Sequence, residues 1–382
     1  MDFEWTKEQQ AIYAEIKMFA QKELNDNIVE NEERGTFSWD GWKKCANIGI
    51  QGLPLPEQYG GSNSDILTVI LAMEALGYGC SDNGLVHSLN SHMWGCEVPI
   101  LKFGNISQKA KYLPLLCRGD IVGAHALTEP NAGSDVFSIQ TSAVRDGEFY
   151  VLNGNKSIVS NGPIADAIVV FAVTEPGRGF LGGISAFVVD KGCKGLEVGK
   201  PLQKMGLGTS PIGELFFSEC KVPVSSLLGK EGGGTRIFQE TMEWERSCLF
   251  SCQVGAMQRI LETCVRYAKD RIQFGQPIGK YQAVSNKLAN MRVNIELGRL
   301  ILYKLGWLKS CSKNVTVESS IAKLFISEGL KSAAIDAIQI HGAYGYMKET
   351  GIEKELRDAV AATIYSGTSE IQKNVIARAL GL

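Results

Sequence analysis

The hydrophobic pattern of this 382-residue chain changes its period twice, which limits the folds that the chain can adopt. From Thr6 to about Cys117, apolar residues recur every three or four positions, as in QAIYAEIKMFAQKEL, and this spacing predicts amphipathic helices. After Gly119, short runs rich in Val, Ile, Phe and Tyr alternate with turn residues, as in DAIVVFAV and GISAFVVD, and this predicts strands. From about Thr235 the helical period returns and lasts to the end.

This order predicts three domains, with bounds at 1–119, 120–234 and 235–382. A division is expected because a single hydrophobic core rarely serves more than about 250–300 residues. We expect an α+β multidomain fold with an N-terminal α-helical domain, a central antiparallel β-barrel domain and a C-terminal domain like a four-helix bundle. The segment GRGFLG, at 177–182, matches a dinucleotide-binding fingerprint formally, but a strand pattern follows it, so we expect a hairpin loop there.

Composition argues against several classes of protein. The net charge of −2 does not favour a nucleic-acid or anionic-membrane partner. No apolar run approaches the roughly 20 residues of a membrane-spanning helix, and the acidic, amphipathic N-terminus does not resemble a signal peptide, so we expect a cytoplasmic protein. The ten cysteines and four histidines form no metal-binding pattern, so no metal site is expected.

Three glycine-interrupted polar segments stand out as candidate ligand sites. In HALTEPNAGSDVFSIQT, the residues around Thr128 form either a ligand-binding loop or an ordinary surface turn. In DRIQFGQPIG, Arg271 and Phe274 could contact a phosphate and an adenine, or could be the end of a helix and a core aromatic residue. The segment IQIHGAYGY, at 338–346, could equally be a simple turn between helices.

Together, however, these segments identify a family. LPEQYGG, LTEPNAGSD, NGNKSIVSNG, DRIQFGQPIG, QIHGAYGY and IYSGTSEIQ occur in an order that resembles the acyl-CoA dehydrogenase family, over essentially the whole chain. The resemblance implies an enzyme that holds FAD and oxidises an acyl thioester to its α,β-unsaturated form. It also implies that residues of one subunit reach the FAD of its neighbour, which requires at least a dimer, and most of the family are homotetramers. The electron acceptor would be either a flavoprotein or oxygen.

The resemblance assigns FAD contacts residue by residue. Thr128 would meet the edge of the isoalloxazine, Ser134 the pyrophosphate, and Ser160 the region of flavin N5, while Ile158 replaces a tryptophan common in the family. The contacts across a subunit interface would be Arg271, Phe274, Gln282, Gln339 and Gly342. The remaining cofactor residues implied by the resemblance are Leu127, Gly133, Thr368 and Glu370.

The identity of the catalytic base is the main difficulty, because Ser366 stands where many relatives have their catalytic glutamate. A serine hydroxyl without a histidine partner is too weak a base to remove a thioester α-proton. Helical spacing gives Glu245 mostly apolar neighbours and Glu243 polar ones, so Glu245 either is the base or pairs with a basic residue elsewhere. A minority of the family has its base immediately before an arginine, as in Glu245–Arg246, which favours Glu245, with the backbone N–H of Ser366 binding the thioester oxygen.

The substrate is predicted from a closer likeness within the family. MEWERSCLF, SNGPIADAIVV and IGKYQAVSNKLA look most like the branch that desaturates an L-prolyl group on a peptidyl carrier protein in natural-product biosynthesis. The alternatives are a dehydrogenase of short branched-chain acyl-CoA, an oxygen-using thioester oxidase and a catalytically silent FAD-binding scaffold. Glu97 and Arg246 are candidate substrate contacts, with Glu97 either binding the prolyl nitrogen or lying on a solvated helix face.

Overall fold

A computed structural model describes residues 4–382, in which helices both precede and follow a β-sheet. Helix α1 begins where the pattern predicts, because Thr6 and Gln9 form a reciprocal capping box that satisfies free backbone N–H groups. The helices before the sheet are α1 Lys7–Glu23, α2 Ile28–Arg34, α3 Trp39–Asn47, α4 Ile66–Gly79, α5 Asn83–His92, α6 Val98–Phe103 and α7 Ile106–Cys117.

A mixed sheet forms the middle of the chain. Its strands are β1 Gly123–Ala126, β2 Ser142–Asp146, β3 Phe149–Ser160, β4 Ala167–Val173, β5 Ile184–Asp190, β6 Leu196–Val198, β7 Ile212–Pro223 and β8 Leu227–Leu228. They lie in the order β6-β7-β3-β2-β4-β5-β8, with β1 beside β4. The predicted hairpin loop at 177–182 is confirmed, since it joins the antiparallel strands β4 and β5.

The pairing departs in two places from the all-antiparallel pattern that the sequence predicts. Strand β1 pairs parallel to β4, and β2 meets β4 in parallel at a single residue pair. Parallel neighbours need a long crossover, and here the β2–β3 hairpin lies between β1 and β4 along the chain. The short turns of the sequence therefore predicted the local hairpins correctly but gave no signal for this longer connection.

The helical period that returns after the sheet corresponds to a helical bundle, so the predicted fold class is confirmed. Its elements are α8 Gly234–Asp270, β9 Ile272–Gln273, β10 Gln276–Pro277, α9 Gln282–Ser310, α10 Thr316–His341, α11 Ala343–Tyr346, α12 Ile352–Ala362 and α13 Ser369–Ala379. Helices α8, α9 and α10 pack against one another, and α8 also packs on α4. In the described residues no helix combines the length and the apolar character that a membrane span requires.

Helix α8 approaches α4 closely because each helix has a glycine at the crossing. A Cβ atom added to Gly77 would lie 2.0 Å from the carbonyl oxygen of Cys252, and one added to Gly255 would lie 2.1 Å from that of Glu74. Both distances are far inside van der Waals contact, so only glycine permits this approach. The crossing fixes the position of α8, which carries Glu245.

Candidate active site

The centre of the site is a contact between α8 and the turn before α13. The hydroxyl of Ser366 donates a hydrogen bond to Oε1 of Glu245, although 121 residues separate them in the chain. Ser366 has a φ of 56°, a left-handed conformation that is uncommon for a residue with a side chain. Its backbone N–H has no acceptor among residues 4–382, so the turn holds a carboxylate and a free N–H donor close together.

The alternative that Glu245 forms an ion pair is wrong. The glutamate that forms an ion pair in this part of α8 is Glu243. Lys309 lies 2.9 Å from Oε2 of Glu243, and the hydroxyl of Thr316 donates to Oε1 at 2.9 Å. Glu243 therefore does not lie on the solvated face that the sequence predicts. In the described part of the chain, Glu245 forms no ion pair within 4 Å. Burial raises the pKa of the Glu245 carboxyl above its usual value, which the Ser366 hydroxyl and the charge of Arg246 partly offset.

Arg246 holds the serine turn in place. Its Nε donates to the carbonyl oxygen of Ser366 at 3.1 Å, and Nη1 donates to the hydroxyl of Ser320 at 3.4 Å. Burial lowers the pKa of this guanidinium to about 10, so it stays protonated near neutral pH. Gln372 adds a second donor to the same Ser366 carbonyl, at 3.2 Å. These bonds fix the left-handed turn, so Arg246 positions Ser366 here.

A second part of the site lies on strand β3, where a bulge interrupts the pairing with β7. Ile158 lies in this bulge with a φ of 57°, and its side chain is 58% exposed. A β-branched residue at positive φ is strained, and such strain is concentrated at functional sites. Ser160 follows on the same strand, and the neighbouring Ser157 N–H donates to the carbonyl oxygen of Thr128 at 2.9 Å. The result is an open apolar surface beside hydroxyl groups.

This surface fits the flavin that the sequence predicts. The exposed side chain of Ile158 offers an apolar face to a planar ring, and Thr128 and Ser160 supply polar groups beside it. Leu127 is buried, and its carbonyl oxygen accepts a hydrogen bond from Lys156 at 3.0 Å. This bond anchors the beginning of the loop that follows β1. Gly133 and Ser134 are exposed farther along the same loop.

Two further predicted cofactor residues begin helix α13. Thr368 is the N-cap residue, since its hydroxyl oxygen accepts from the N–H of Ile371 at 3.3 Å, and Glu370 is exposed in the first turn. They lie two and four residues after Ser366, so the turn that contacts the Glu245 carboxylate continues into this helix N-terminus. Two predicted cofactor residues and the serine that contacts the proposed base therefore share one segment.

The remaining predicted cofactor residues lie far from Glu245. Arg271 follows α8 directly and is 26 residues beyond Glu245, about 39 Å along a helix that rises about 1.5 Å per residue. Tyr267 stacks on His341 with ring centroids 4.2 Å apart, which brings the ends of α8 and α10 together. The residues of this distant group are all exposed: Arg271, Phe274, Gln282, Gln339 and Gly342.

Sequence reasoning missed a buried polar group that lies between the two parts of the site. His87 Nε2 is 3.1 Å from the hydroxyl of Ser160, and the rings of His87 and Tyr365 are 4.9 Å apart. The side-chain amide of Gln253 donates to the hydroxyl of Tyr365 at 2.6 Å. The only signal in the sequence was that Gln253 follows Glu245 by two helical turns, and nothing linked either residue to His87.

Glu97 does not join this group. It ends a π-helical turn, Met93–Glu97, and is fully buried with Nε2 of His92 at 2.9 Å from its carboxylate, so the predicted solvated helix face is wrong. His92 in turn accepts from the N–H of Gly123 at 2.8 Å. Because the π turn directs Glu97 toward this buried histidine, the structure does not bring Glu97 into the site around Glu245.

The chain resembles known proteins along almost its whole length. Profiles of the acyl-CoA dehydrogenase N-terminal, middle and C-terminal domains match residues 6–120, 124–220 and 232–381. The L-prolyl-[peptidyl-carrier protein] dehydrogenase of Pseudomonas fluorescens is 40% identical over 384 residues, which covers both chains completely.

Solved structures extend the likeness to three dimensions. A crystal structure of the prolyl acyl carrier protein oxidase AnaB is 46% identical, covers 99% of this chain and 100% of its own, and superposes with a TM-score of 0.98. A structure of PigA with FAD and proline is 39% identical over the whole of both chains, with a TM-score of 0.98.

Proposed function

The chain belongs to the acyl-CoA dehydrogenase family, and on that premise we propose that it is an FAD-dependent dehydrogenase of an L-prolyl thioester. The prolyl group would be carried by a peptidyl carrier protein, the carrier that the name of the Pseudomonas fluorescens relative gives for that protein. The reaction would belong to natural-product biosynthesis. The observation that carries the proposal is the contact of Glu245 with Ser366, which gives a chain without the usual glutamate at 366 a carboxylate in the same space.

The chemistry follows from the groups in this contact. The Glu245 carboxylate accepts the α-proton of the bound thioester, and its raised pKa makes it a stronger base than an exposed glutamate. The free backbone N–H of Ser366 donates to the thioester oxygen, where negative charge develops as the proton leaves. When bound, FAD supplies the two-electron acceptor for the hydride that leaves Cβ. The product is the α,β-unsaturated thioester.

Two further groups hold the Glu245 carboxylate and the backbone N–H of Ser366 in position. The Ser366 hydroxyl orients the carboxylate, and Arg246 holds the Ser366 carbonyl so that the N–H on the same turn keeps its direction. We assign the near side of the FAD to this set of residues: Leu127, Thr128, Gly133, Ser134, Ile158, Ser160, Thr368 and Glu370.

We further propose a homotetramer in which a neighbouring subunit completes the FAD site. The distance of about 39 Å between Glu245 and Arg271 is too long for one chain to use both on the same FAD. The side chain of Phe274 is 95% exposed, which is costly for an aromatic residue unless another molecule covers it. Arg271, Phe274, Gln282, Gln339 and Gly342 would therefore serve the FAD of the neighbour.

The pH dependence of turnover should report the ionisation of Glu245. Because the folded protein raises the pKa of this carboxyl above 4.5, and because only the ionised form can act as a base, kcat/KM should rise with pH to a plateau, with a midpoint above pH 4.5. Burial lowers the pKa of His87 to about 4, so its titration lies below this limb. Glu243→Gln should keep the midpoint, whereas a wild-type midpoint at or below 4.5 would contradict the assignment.

The proposed reaction is tested by anaerobic flavin absorbance. The purified protein would be mixed with L-prolyl-loaded carrier protein of the Pseudomonas fluorescens relative and, separately, with isovaleryl-CoA. Bleaching by the prolyl carrier alone is the expected result. Bleaching by isovaleryl-CoA alone would assign the enzyme to branched-chain acyl-CoA oxidation, and the absence of bleaching by either would indicate a silent FAD-binding scaffold.

A second candidate function is oxidation with oxygen as the electron acceptor, favoured by the 46% identity to the oxidase AnaB. The residues around Glu245 would act identically, and only the fate of the electrons differs. Mixing the substrate-reduced enzyme with air-saturated buffer distinguishes the two. Reoxidation as fast as turnover would indicate an oxidase, and slow reoxidation that a flavoprotein acceptor accelerates would indicate a dehydrogenase.

A further inference from the structure

A cavity lies next to the proposed base, and none of the chemistry described so far uses its polar wall. It encloses about 40 Å³ behind an open mouth, which is room for a small polar group. Leu249 and Gln253 line it, and they follow Glu245 on the same face of α8 at intervals of four residues. Tyr365, next to Ser366 in the chain, lines it as well. The cavity therefore begins one helical turn beyond the carboxylate.

Two buried polar atoms in this wall have no hydrogen-bond partner among residues 4–382. Nδ1 of His87 and Oε1 of Gln253 each lack a hydrogen bond, although the two residues are only 9% and 6% exposed. A buried polar atom without a partner costs about 1–3 kcal/mol, and most such atoms in folded proteins are paired. The other end of each side chain is occupied, His87 by Ser160 and Gln253 by Tyr365. The unpaired atoms are thus held in fixed directions.

Oε1 of Gln253 can only accept hydrogen bonds, and we assign to His87 the tautomer in which Nδ1 accepts as well. Oε1 is the carbonyl oxygen of the amide, and with Nε2–H of His87 donating to Ser160, Nδ1 carries a lone pair. Burial lowers the pKa of His87 to about 4, so the ring stays neutral in the physiological range. The acidic residues of the cavity are already paired, Asp358 with Lys354 and Glu355 with Arg259 at 2.9 Å. The wall therefore suits a ligand that donates hydrogen bonds.

We propose that Nδ1 of His87 and Oε1 of Gln253 accept hydrogen bonds from the ring nitrogen of the prolyl group and so select an amino-acyl over a plain acyl thioester. This inference rests on the proposed function and names the part of the site that recognises the substrate. A protonated secondary ring nitrogen has two N–H groups, which matches the two acceptors. A carbocyclic acyl group of the same shape would leave both acceptors unsatisfied, and a site built for hydrogen bonds rejects such an analogue strongly.

The experiment compares two thioesters on the same carrier protein of the Pseudomonas fluorescens relative, one loaded with L-proline and one with cyclopentanecarboxylate. The rate of anaerobic flavin reduction gives kcat/KM for each, and their ratio is the selectivity. We expect wild type to prefer the prolyl group by about 100-fold or more. Gln253→Met removes the acceptor at similar volume and should lower the ratio by at least about 10-fold, whereas Gln253→Glu keeps an acceptor and should retain the preference.

Each outcome separates the inference from the function that it rests on. If wild type oxidised neither thioester, the proposed function itself would fall. If it oxidised both at similar rates, or if Gln253→Met kept the wild-type ratio within about twofold, the dehydrogenation would stand and the nitrogen site would be wrong. Should the variants not fold, calorimetric titration of the wild-type holoenzyme with L-prolinamide and with cyclopentanecarboxamide decides, because equal affinities would overturn the inference.

Discussion

Replacement of Glu245 by glutamine should slow flavin reduction by L-prolyl carrier protein by about 10²–10⁴-fold, the usual contribution of a general base. Glutamine has the same shape and can still accept the hydrogen bond from Ser366, but it cannot take up a proton at neutral pH. Stopped-flow absorbance under anaerobic conditions measures this rate directly, with the flavin content of each preparation determined first. Substrate affinity should change little, because the substitution removes a charge and almost no volume.

Two companion variants make this result specific. Glu243→Gln changes the same residue type two positions away, but Glu243 is engaged with Lys309 and Thr316, so its rate should stay within about threefold of wild type. The double variant Glu245→Gln with Ser366→Glu moves the carboxylate to the other side of the observed contact and should recover at least about 10-fold of the lost rate. Flavin reduction in Glu245→Gln as fast as in wild type would show that Glu245 is not the base.

The second large effect concerns the crossing of α4 and α8. Gly77→Ala should lower the free energy of unfolding by about 3 kcal/mol, because the new methyl group would overlap the carbonyl oxygen of Cys252 and force the helices apart. Alanine has a helix propensity about 1 kcal/mol better than that of glycine, so the packing cost has to exceed this gain. Equilibrium unfolding in urea measures the difference, provided that wild type and variant carry the same amount of FAD.

Gly298→Ala is the matched control for this prediction. Gly298 is also inside a helix of the bundle, but its nearest neighbour to an added Cβ is a methyl carbon of Val254 at 3.2 Å, which can shift slightly. We expect a change of less than about 1 kcal/mol for this variant. Equal stability of Gly77→Ala and wild type would mean that the two helices can separate without cost, contrary to the close packing of the crossing.

Much of the fold could be predicted because its signals are local. Apolar residues at helical spacing and short β-rich runs between turns identify the order of helices, sheet and helices without any knowledge of contacts. The parallel pairing of β1 with β4 could not be predicted, since the partner strands are separated by a hairpin and no nearby residues encode their register. The resemblance to a known family supplied the cofactor and the reaction.

The site, like the fold, has features that the sequence predicted and features that only the tertiary structure revealed. The sequence by itself favoured Glu245 over Glu243, because helical spacing shows which side chains share a face and Glu245 lies among apolar ones. Only the tertiary structure gave Glu243 its partner Lys309 and placed Ser366 against Glu245.

The polar wall of the cavity depended entirely on tertiary packing. His87 and Gln253 come from helices far apart in the chain, and the sequence gives neither residue a partner. Their meeting depends on how closely α4, α5 and α8 pack, which glycines such as Gly77 determine through distances of a few ångströms. Hydrophobic period describes each helix in isolation, whereas a hydrogen bond between distant segments requires the packed arrangement of them all.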